Sequence, residues 1–189
     1  MHILKFLRKA TNLSKNIGIE NEQAKELVEN LKGKWQLSSQ PLKVDDHVTF
    51  LGEIPRITDF EEELTIQLQT MKNNVWHHDK IEDDSAIYIN TPKGIIIISG
   101  CSHSGIVNIV KHAKKVSGDL NIFAVIGGFH LLSAAEERIL KTASELKMLG
   151  VENLITGHCT GGVAEYLFHQ TFQENFQKLY AGKKLEFTF

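Results

Sequence analysis

The stretch Ile95-Ile-Ile-Ile-Ser-Gly-Cys-Ser-His-Ser-Gly105 passes from four β-branched apolar residues to a polar segment that contains glycine. A continuous apolar run of strand length predicts a strand that is buried on both faces, as in a parallel sheet. In residues 105–116, apolar side chains recur every three or four positions, which is the spacing of one helix face. The sequence therefore predicts a buried strand, a short loop containing His103, and a helix.

The same order of elements continues to the end of the chain. After Ala86 the pattern is β-β-α-β-α-β-α-β, which is typical of a sheet with helices packed on it. Upstream, a helix over 19–31 and short strand-like runs at 35–37 and 47–51 are predicted. We predict an α/β fold of the α+β sandwich type, forming one domain over residues 1–189. The predicted downstream elements are strands 86–90, 94–99, 122–126, 151–155 and 185–189, helices 105–116 and 162–180, and a helix that opens at the capping-box signature Ser133-Ala-Ala-Glu136.

The composition is that of an ordinary globular protein, with 42% hydrophobic and 23% charged residues in 189. A net charge of −2 gives no general electrostatic basis for binding nucleic acid or an anionic membrane. The longest apolar run has the length of a strand, and the amino terminus lacks the pattern of a secretory signal. Two cysteines are too few for a disulfide scaffold. We predict a cytoplasmic protein without a nucleic-acid or membrane partner.

Three of the nine histidines, His103, His130 and His158, each follow an apolar run predicted to be a strand. In α/β proteins, ligands and metals bind outside the carboxyl ends of strands, so three histidines at three such ends predict one shared site. Taken singly, each has a simpler interpretation, as a helix-start residue, a core histidine or a loop residue. The others are interpreted as surface residues: His2, His47, His77, His78, His112 and His169.

Two of these histidines directly precede the predicted starts of helices. His103 is followed by Ser104 and Gly105, and His158 is soon followed by Thr160 and Gly161. A helix amino terminus exposes unpaired N–H groups and a partial positive charge, so it attracts anions. These four small or hydroxyl-bearing residues are therefore predicted to contact a phosphate or carboxylate.

Cys101 and Cys159 each lie close to a predicted site histidine. A zinc site formed by both cysteines and their histidines is one interpretation, but Cys-x-His and His-Cys are not the usual spacings of a structural zinc module. Small buried residues beside the site are the preferred interpretation. A cysteine nucleophile stays open, although nothing in the sequence marks either thiol as activated.

Four motifs resemble those of the metallo-β-lactamase superfamily, and in particular the branch that contains the dihydropterin-ribofuranosylaminobenzene phosphate synthases. The resemblance implies an αββα fold and a metal site that holds zinc, or manganese or iron. It matches His103 and His158 to the family's downstream metal ligands, and it implies that His130 is a ligand or a substrate contact. Asp83 or Asp84 at the edge of the site is one interpretation, and a solvated turn is the preferred one. The motifs are Gly52-Glu-Ile-Pro-Arg56, Gly100-Cys-Ser-His-Ser-Gly-Ile106, Gly127-Gly-Phe-His-Leu131 and Gly157-His-Cys-Thr-Gly161.

The sequence departs from this family in lacking the principal metal motif, His-x-His-x-Asp-His. We therefore expect a partial sandwich, mainly its carboxy-terminal half, with a metal that is weakly bound or absent. The implied function is that of a metal-dependent hydrolase or synthase domain for a small anionic, phosphate-bearing substrate, inactive without a complementing chain. The alternative is a non-catalytic remnant that binds a partner or forms a homo-oligomer.

Overall fold

The computed structural model describes residues 8–10, 26, 29–31, 33–34, 36–61, 68–72 and 74–189. The chain divides into two compact units, Met1–Leu37 with Leu64–Ile81, and Ser38–Glu63 with Glu82–Phe189. The elements are β1 (Arg8–Ala10), β2 (Leu42–Lys43), β3 (Val48–Phe50), β4 (Leu68–Lys72), β5 (Val75–His78), β6 (Ala86–Thr91), β7 (Gly94–Ser99), α1 (Ile106–Ser117), β8 (Ile122–Gly128), α2 (Glu136–Met148), β9 (Val151–Gly157), α3 (Gly162–Phe172), and β10 (Phe176–Leu179). Across these described ranges, no helix is long and apolar enough to cross a membrane.

The first unit contains an antiparallel sheet with the strand order β1-β4-β5. None of these strands is predicted from the sequence pattern. All four residues of β5 are exposed, so this strand lacks the alternation of apolar and polar residues by which a strand is predicted. Most of the predicted helix 19–31 lies outside the described residues, and its described members Glu26, Glu29 and Asn30 are helical.

The second unit contains a mixed sheet with the order β10-β9-β8-β7-β6-β3-β2. Strands β7 to β10 run parallel, while β6, β3 and β2 pair antiparallel. In β7, Ile95 and Ile97 belong to one core cluster and Ile96 to another, so the strand is buried on both faces as predicted. All three helices contribute to the first cluster, which confirms an α/β architecture with helices packed on the sheet.

The parallel strands bring their carboxyl ends to one edge of the sheet. Ile98 of β7 is aligned with Ile126 of β8, which is aligned with Ile155 of β9. The loops that follow these three strands therefore begin side by side, as the interpretation of the three histidines requires.

The carboxy-terminal elements differ from prediction. The helix expected over 162–180 ends at Phe172, where Gln173 adopts a left-handed φ of 53°, and β10 then adds to the sheet edge parallel to β9. The predicted strand 185–189 has no regular structure; its apolar residues Leu185 and Phe187 instead pack against the second core cluster. Segment 176–179 therefore pairs with β9 as a strand, although the spacing of its aromatic and leucine residues also fits a helix.

The predicted capping box does not mark the start of α2. The residue that directly precedes the helix is Ala135. Ser133 lies in an earlier turn, which is closed by a hydrogen bond from the Ala134 N–H to the Leu131 carbonyl at 3.0 Å. In the region before β2, Gln36 and Leu37 form no strand, and Trp35 lies outside the described residues. The prediction of one domain over 1–189 stays a prediction.

Candidate metal and phosphate site

The loops after β7, β8 and β9 each contain a residue other than glycine in the left-handed conformation. These are Ser102 with φ of 57°, His130 with φ of 50° and His158 with φ of 55°. This conformation is uncommon for residues with a Cβ atom and is concentrated at functional sites. Each strand therefore ends in a sharp turn that keeps its histidine at the edge of the sheet.

His103 is held between a carboxylate, an arginine and a second imidazole. Its Nδ1 lies 4.0 Å from Asp84 Oδ1, and its carbonyl accepts a hydrogen bond from Arg56 Nη1 at 2.8 Å. The His130 ring meets the His103 ring edge-on, with centroids 4.5 Å apart. The Asp84 side chain is only 7% exposed, so its interpretation as a solvated turn residue was wrong. Asp83 is the exposed member of that pair.

His158 lies beside the two cysteines and close enough to His130 to contribute to lowering the pKa of that imidazole. Its Nε2 is 3.2 Å from Cys101 Sγ, and the potential ligand atoms of Cys101, His158 and Cys159 all lie within 4.8 Å of one another. Within the described part of the chain, no other three His, Cys, Asp or Glu residues meet this condition. Adjacent side chains at 158 and 159 therefore reach the same place, which the sequence analysis did not expect. The assignment of His103, His130 and His158 to one metal stays a prediction.

Gly128 makes this meeting of side chains sterically possible. Strand β8 lies between β7 and β9 in the sheet, so the residues from the flanking loops approach each other across its end. A Cβ atom at position 128 would lie 2.7 Å from Cys159 Sγ and 3.2 Å from His158 Cδ2. The paired glycines of the Gly127-Gly128 motif thus serve close packing, in addition to turning the chain.

Burial shifts the ionisation of two groups at this edge. Desolvation, and then the neighbouring Cys159 thiol, raises the pKa of Cys101 to about 11. The Cys101 thiol is therefore protonated at neutral pH, which disfavours Cys101 as a nucleophile. Desolvation, with His103 next in importance, lowers the pKa of His130, so its imidazole is neutral at neutral pH and keeps a lone pair for a ligand.

The amino terminus of α1 is already occupied by protein carboxylates. Glu61, which is 3% exposed, accepts hydrogen bonds from the N–H groups of Val107 and Asn108, each at 2.9 Å. Asp84 accepts a hydrogen bond from the Ser104 N–H at 2.9 Å and another from its hydroxyl. Ser104 therefore already has a protein carboxylate as partner, and the assignment of Ser104 and Gly105 to an anion site stays a prediction. A Cβ at Gly105 would lie 2.5 Å from the Glu61 carboxyl carbon, so this glycine gives room to Glu61.

The corresponding residues before α3 also make protein contacts. The Thr160 hydroxyl accepts the Phe129 N–H at 3.0 Å, lies 2.5 Å from the Thr156 hydroxyl, and is fully buried. Gly161 has a φ of 85°, and its Cβ position lies 2.8 Å from the Leu132 Cα. Thr160 and Gly161 therefore join the loops after β8 and β9, and their predicted contact with an anion stays a prediction.

Several side chains that stabilise this edge of the sheet were not predicted from the sequence. Glu61 belongs to the acidic run 59–63, whose charges are typical of a solvated surface, yet Glu61 is buried. Asn108 was not considered, yet its Oδ1 accepts the N–H groups of Ile57 and Thr58 at 2.9 and 3.0 Å. His112, interpreted as a surface residue, is half-buried, with Nε2 3.0 Å from the Leu51 carbonyl. The partners in these contacts are 50 to 61 residues apart, so no local sequence signal identifies them.

Known proteins with this fold include a solved metal-dependent hydrolase of the β-lactamase superfamily, Tm1679. It superposes with a TM-score of 0.78 at 26% identity, over 97% of this chain and 68% of its own. A 7,8-dihydropterin-6-methyl-4-(β-D-ribofuranosyl)-aminobenzene-5′-phosphate synthase from Methanocaldococcus jannaschii is 45% identical over 172 residues, which are 90% of this chain and 58% of the relative. An uncharacterised protein of the same organism is 32% identical over 145 residues, covering 77% of this chain and 52% of its own length. No protein-family model matches the chain.

The fold and the strand-end motifs define the class: the chain has the metallo-β-lactamase fold and is similar to a metal-dependent hydrolase of that superfamily. Within that superfamily it is similar to the dihydropterin phosphate synthase branch. The chain spans just over half the length of the curated relatives it matches, 58% and 52%.

Proposed function

We propose that this chain is the metal-binding part of a hydrolase or synthase for a small, phosphate-bearing anion. Similarity to a phosphate synthase supports the substrate class, and similarity to a metal-dependent hydrolase supports metal dependence. The single observation that carries the proposal is the arrangement of Asp84, His103 and His130 at the carboxyl edge of the sheet.

The donors at this edge suit a divalent metal. Asp84 faces Nδ1 of His103, and a carboxylate in this position fixes the imidazole and leaves Nε2 for a metal. His130 is neutral and lies against the same ring. In the proposal, His103 and His158 hold the metal, zinc or manganese or iron, and His130 is a further ligand or a substrate contact. A bound metal would polarise a phosphoryl oxygen or lower the pKa of a bound water.

Anion recognition in this proposal does not use the N–H groups of Ser104, Val107 and Asn108. These three groups at and before the start of α1 already donate to Glu61 and Asp84. Arg56 lies half-buried against the His103 carbonyl, which places a guanidinium beside the proposed metal. Since arginine pairs with phosphate through two parallel hydrogen bonds, Arg56 is the proposed substrate contact.

The test measures zinc and manganese binding by calorimetry, and metal-stimulated hydrolysis of phosphate mono- and diesters. Both are measured on the chain alone and after adding the part of the Methanocaldococcus jannaschii synthase that this chain does not match. We expect that addition to raise metal affinity and activity, and His103→Ala to abolish the gain. His47→Ala, at an exposed histidine distant in sequence from the strand ends, is the control and should retain it. Tight complex formation without any metal-stimulated activity would overturn the proposal in favour of a partner-binding subunit.

A further inference from the structure

Two thiols and an imidazole meet at the end of β8, although they come from different loops. Cys101 follows β7 and Cys159 follows β9, and these strands are separated by β8. With strands spaced about 4.8 Å apart, the two loops leave the sheet about 10 Å from each other. Their Sγ atoms nevertheless lie within 4.8 Å of each other and of the His158 ring nitrogen.

Each partner of this cluster is positioned by a separate contact. Cys101 Sγ lies 3.2 Å from His158 Nε2. Cys159 Sγ accepts the backbone N–H of His130 at 3.3 Å, a contact that stabilises negative charge on sulfur. The Cys159 thiol also approaches the Cys101 carbonyl at 3.5 Å. Small residues merely filling space would not need this convergence.

The separations match those of a tetrahedral thiolate site. Zinc–sulfur bonds of about 2.3 Å and zinc–nitrogen bonds of about 2.0–2.1 Å place tetrahedral ligand atoms roughly 3.5–3.8 Å apart. The observed 3.2 Å contact and the 4.8 Å limit on the three separations bracket this range. His158 is exposed, so solvent reaches the cluster and can supply the fourth ligand.

We propose that Cys101, Cys159 and His158 form a binding site for a thiophilic divalent cation such as zinc, with one coordination position open to solvent. Two thiolates and an imidazole select zinc or iron over manganese, magnesium and calcium, which prefer oxygen ligands. Binding replaces the two thiol protons, which are released to solvent. The proposal rests on the contacts of the cysteines. It shares only His158 with the proposed function, whose other metal ligand is His103.

The experiment titrates cobalt(II) into the anaerobically reduced chain and records its absorption, since thiolate ligation produces an intense sulfur-to-cobalt charge-transfer band. We expect one equivalent of cobalt to produce the band, and zinc to displace cobalt and slow the alkylation of both cysteines. Cys101→Ser and Cys159→Ser should each reduce the band, because one thiolate remains, and weaken cobalt binding by more than about 100-fold, the upper range for outer-shell changes. The Cys101→Ser/Cys159→Ser double variant should show no sulfur band. A His77→Gln/His78→Gln variant, which removes the exposed adjacent histidines of β5, should leave the band unchanged.

His103→Ala separates this proposal from the proposed function. It should retain the sulfur band, because His103 is not a member of the cysteine cluster, while reducing any phosphate-directed activity. Cobalt binding without a sulfur band would overturn the thiolate site and leave a histidine-centred metal standing. A band that is undiminished in either serine variant, or thiols that react equally fast with and without zinc, would also overturn it.

Discussion

Glu61 is a buried carboxylate in the segment that follows β3. Replacing it tests whether its contacts stabilise helix α1 and the loop before this helix, which contains His103. Glu61 accepts the N–H groups of Val107 and Asn108 and the hydroxyl of Thr58, and is 3% exposed. Glu61→Ala leaves two helix N–H donors without their acceptor, and each buried unsatisfied group costs about 1–3 kcal/mol. Because the contributions overlap, we expect a loss of about 3 kcal/mol in the free energy of unfolding.

That loss is large enough to measure. For a chain of this size each kcal/mol corresponds to about 2–4 °C, so the melting temperature should fall by roughly 6–12 °C. Glu61→Gln keeps the volume but turns an NH₂ group toward one of the helix donors, and should lose about 1–3 kcal/mol. Urea unfolding followed by circular dichroism measures both variants. The matched control is Asp59→Ala, which removes an exposed carboxylate paired with Lys141 and should leave the urea midpoint unchanged.

Two results would refute this reasoning. If Glu61→Ala were no less stable than Asp59→Ala, the contacts with α1 would not contribute to stability. If Glu61→Ala lost stability but Glu61→Gln lost none, the effect would come from the cavity that the alanine leaves, rather than from the hydrogen bonds.

The remaining predictions concern ionisation, metal affinity and packing. Burial raises the pKa of Glu61 above its usual 4.5. The contribution of the protonated carboxyl to the free energy of unfolding is therefore complete below pH 4.5 and is lost as pH rises through the folded pKa. The difference in urea midpoint between wild type and Glu61→Gln should be larger at pH 4.5 than at neutral pH. A gap that narrows toward acid would mean that the N–H bonds outweigh burial. Asp84→Asn should weaken zinc binding by about 10–100-fold in calorimetry, because His103 loses its orienting charge; unchanged affinity would exclude that role. Gly128→Ala places a Cβ 2.7 Å from Cys159 Sγ and should lower the free energy of unfolding by about 1–3 kcal/mol in calorimetric melting. Gly100→Ala is the control and should have no such effect, because its Cβ meets nothing within 4 Å. Equal effects of the two substitutions would contradict the packing argument.

The elements that carry the histidines could be predicted because their sequence patterns are local. The run Ile95–Ile98 is apolar and β-branched, and the structure buries it in the middle of the sheet. Helix α1 was predicted within one residue at each end, because its apolar spacing ends at Gly118, a left-handed residue that terminates the helix. Strand and helix periodicity, together with glycine at turns, therefore sufficed for these parts of the fold.

Elements whose pairing depends on distant residues were not predictable in this way. The segment 176–179 continues the apolar pattern of α3, yet it forms β10 because the edge of β9 offers unpaired backbone groups. The strands β4 and β5 lack apolar alternation and exist through their mutual hydrogen bonds. In both cases the deciding partner is supplied by tertiary structure.

By itself, the sequence determined that three histidines follow strands and that glycines permit close approach beside them, since both features depend only on the order of residues. Only the tertiary structure decided which side chains meet. It buried Glu61 and Asp84 against the start of α1, and it brought Cys101 and Cys159 together across the end of β8. The physical reason is that hydrogen bonding and desolvation act on groups that are neighbours in space. Spacing along the chain does not encode which residues those neighbours are.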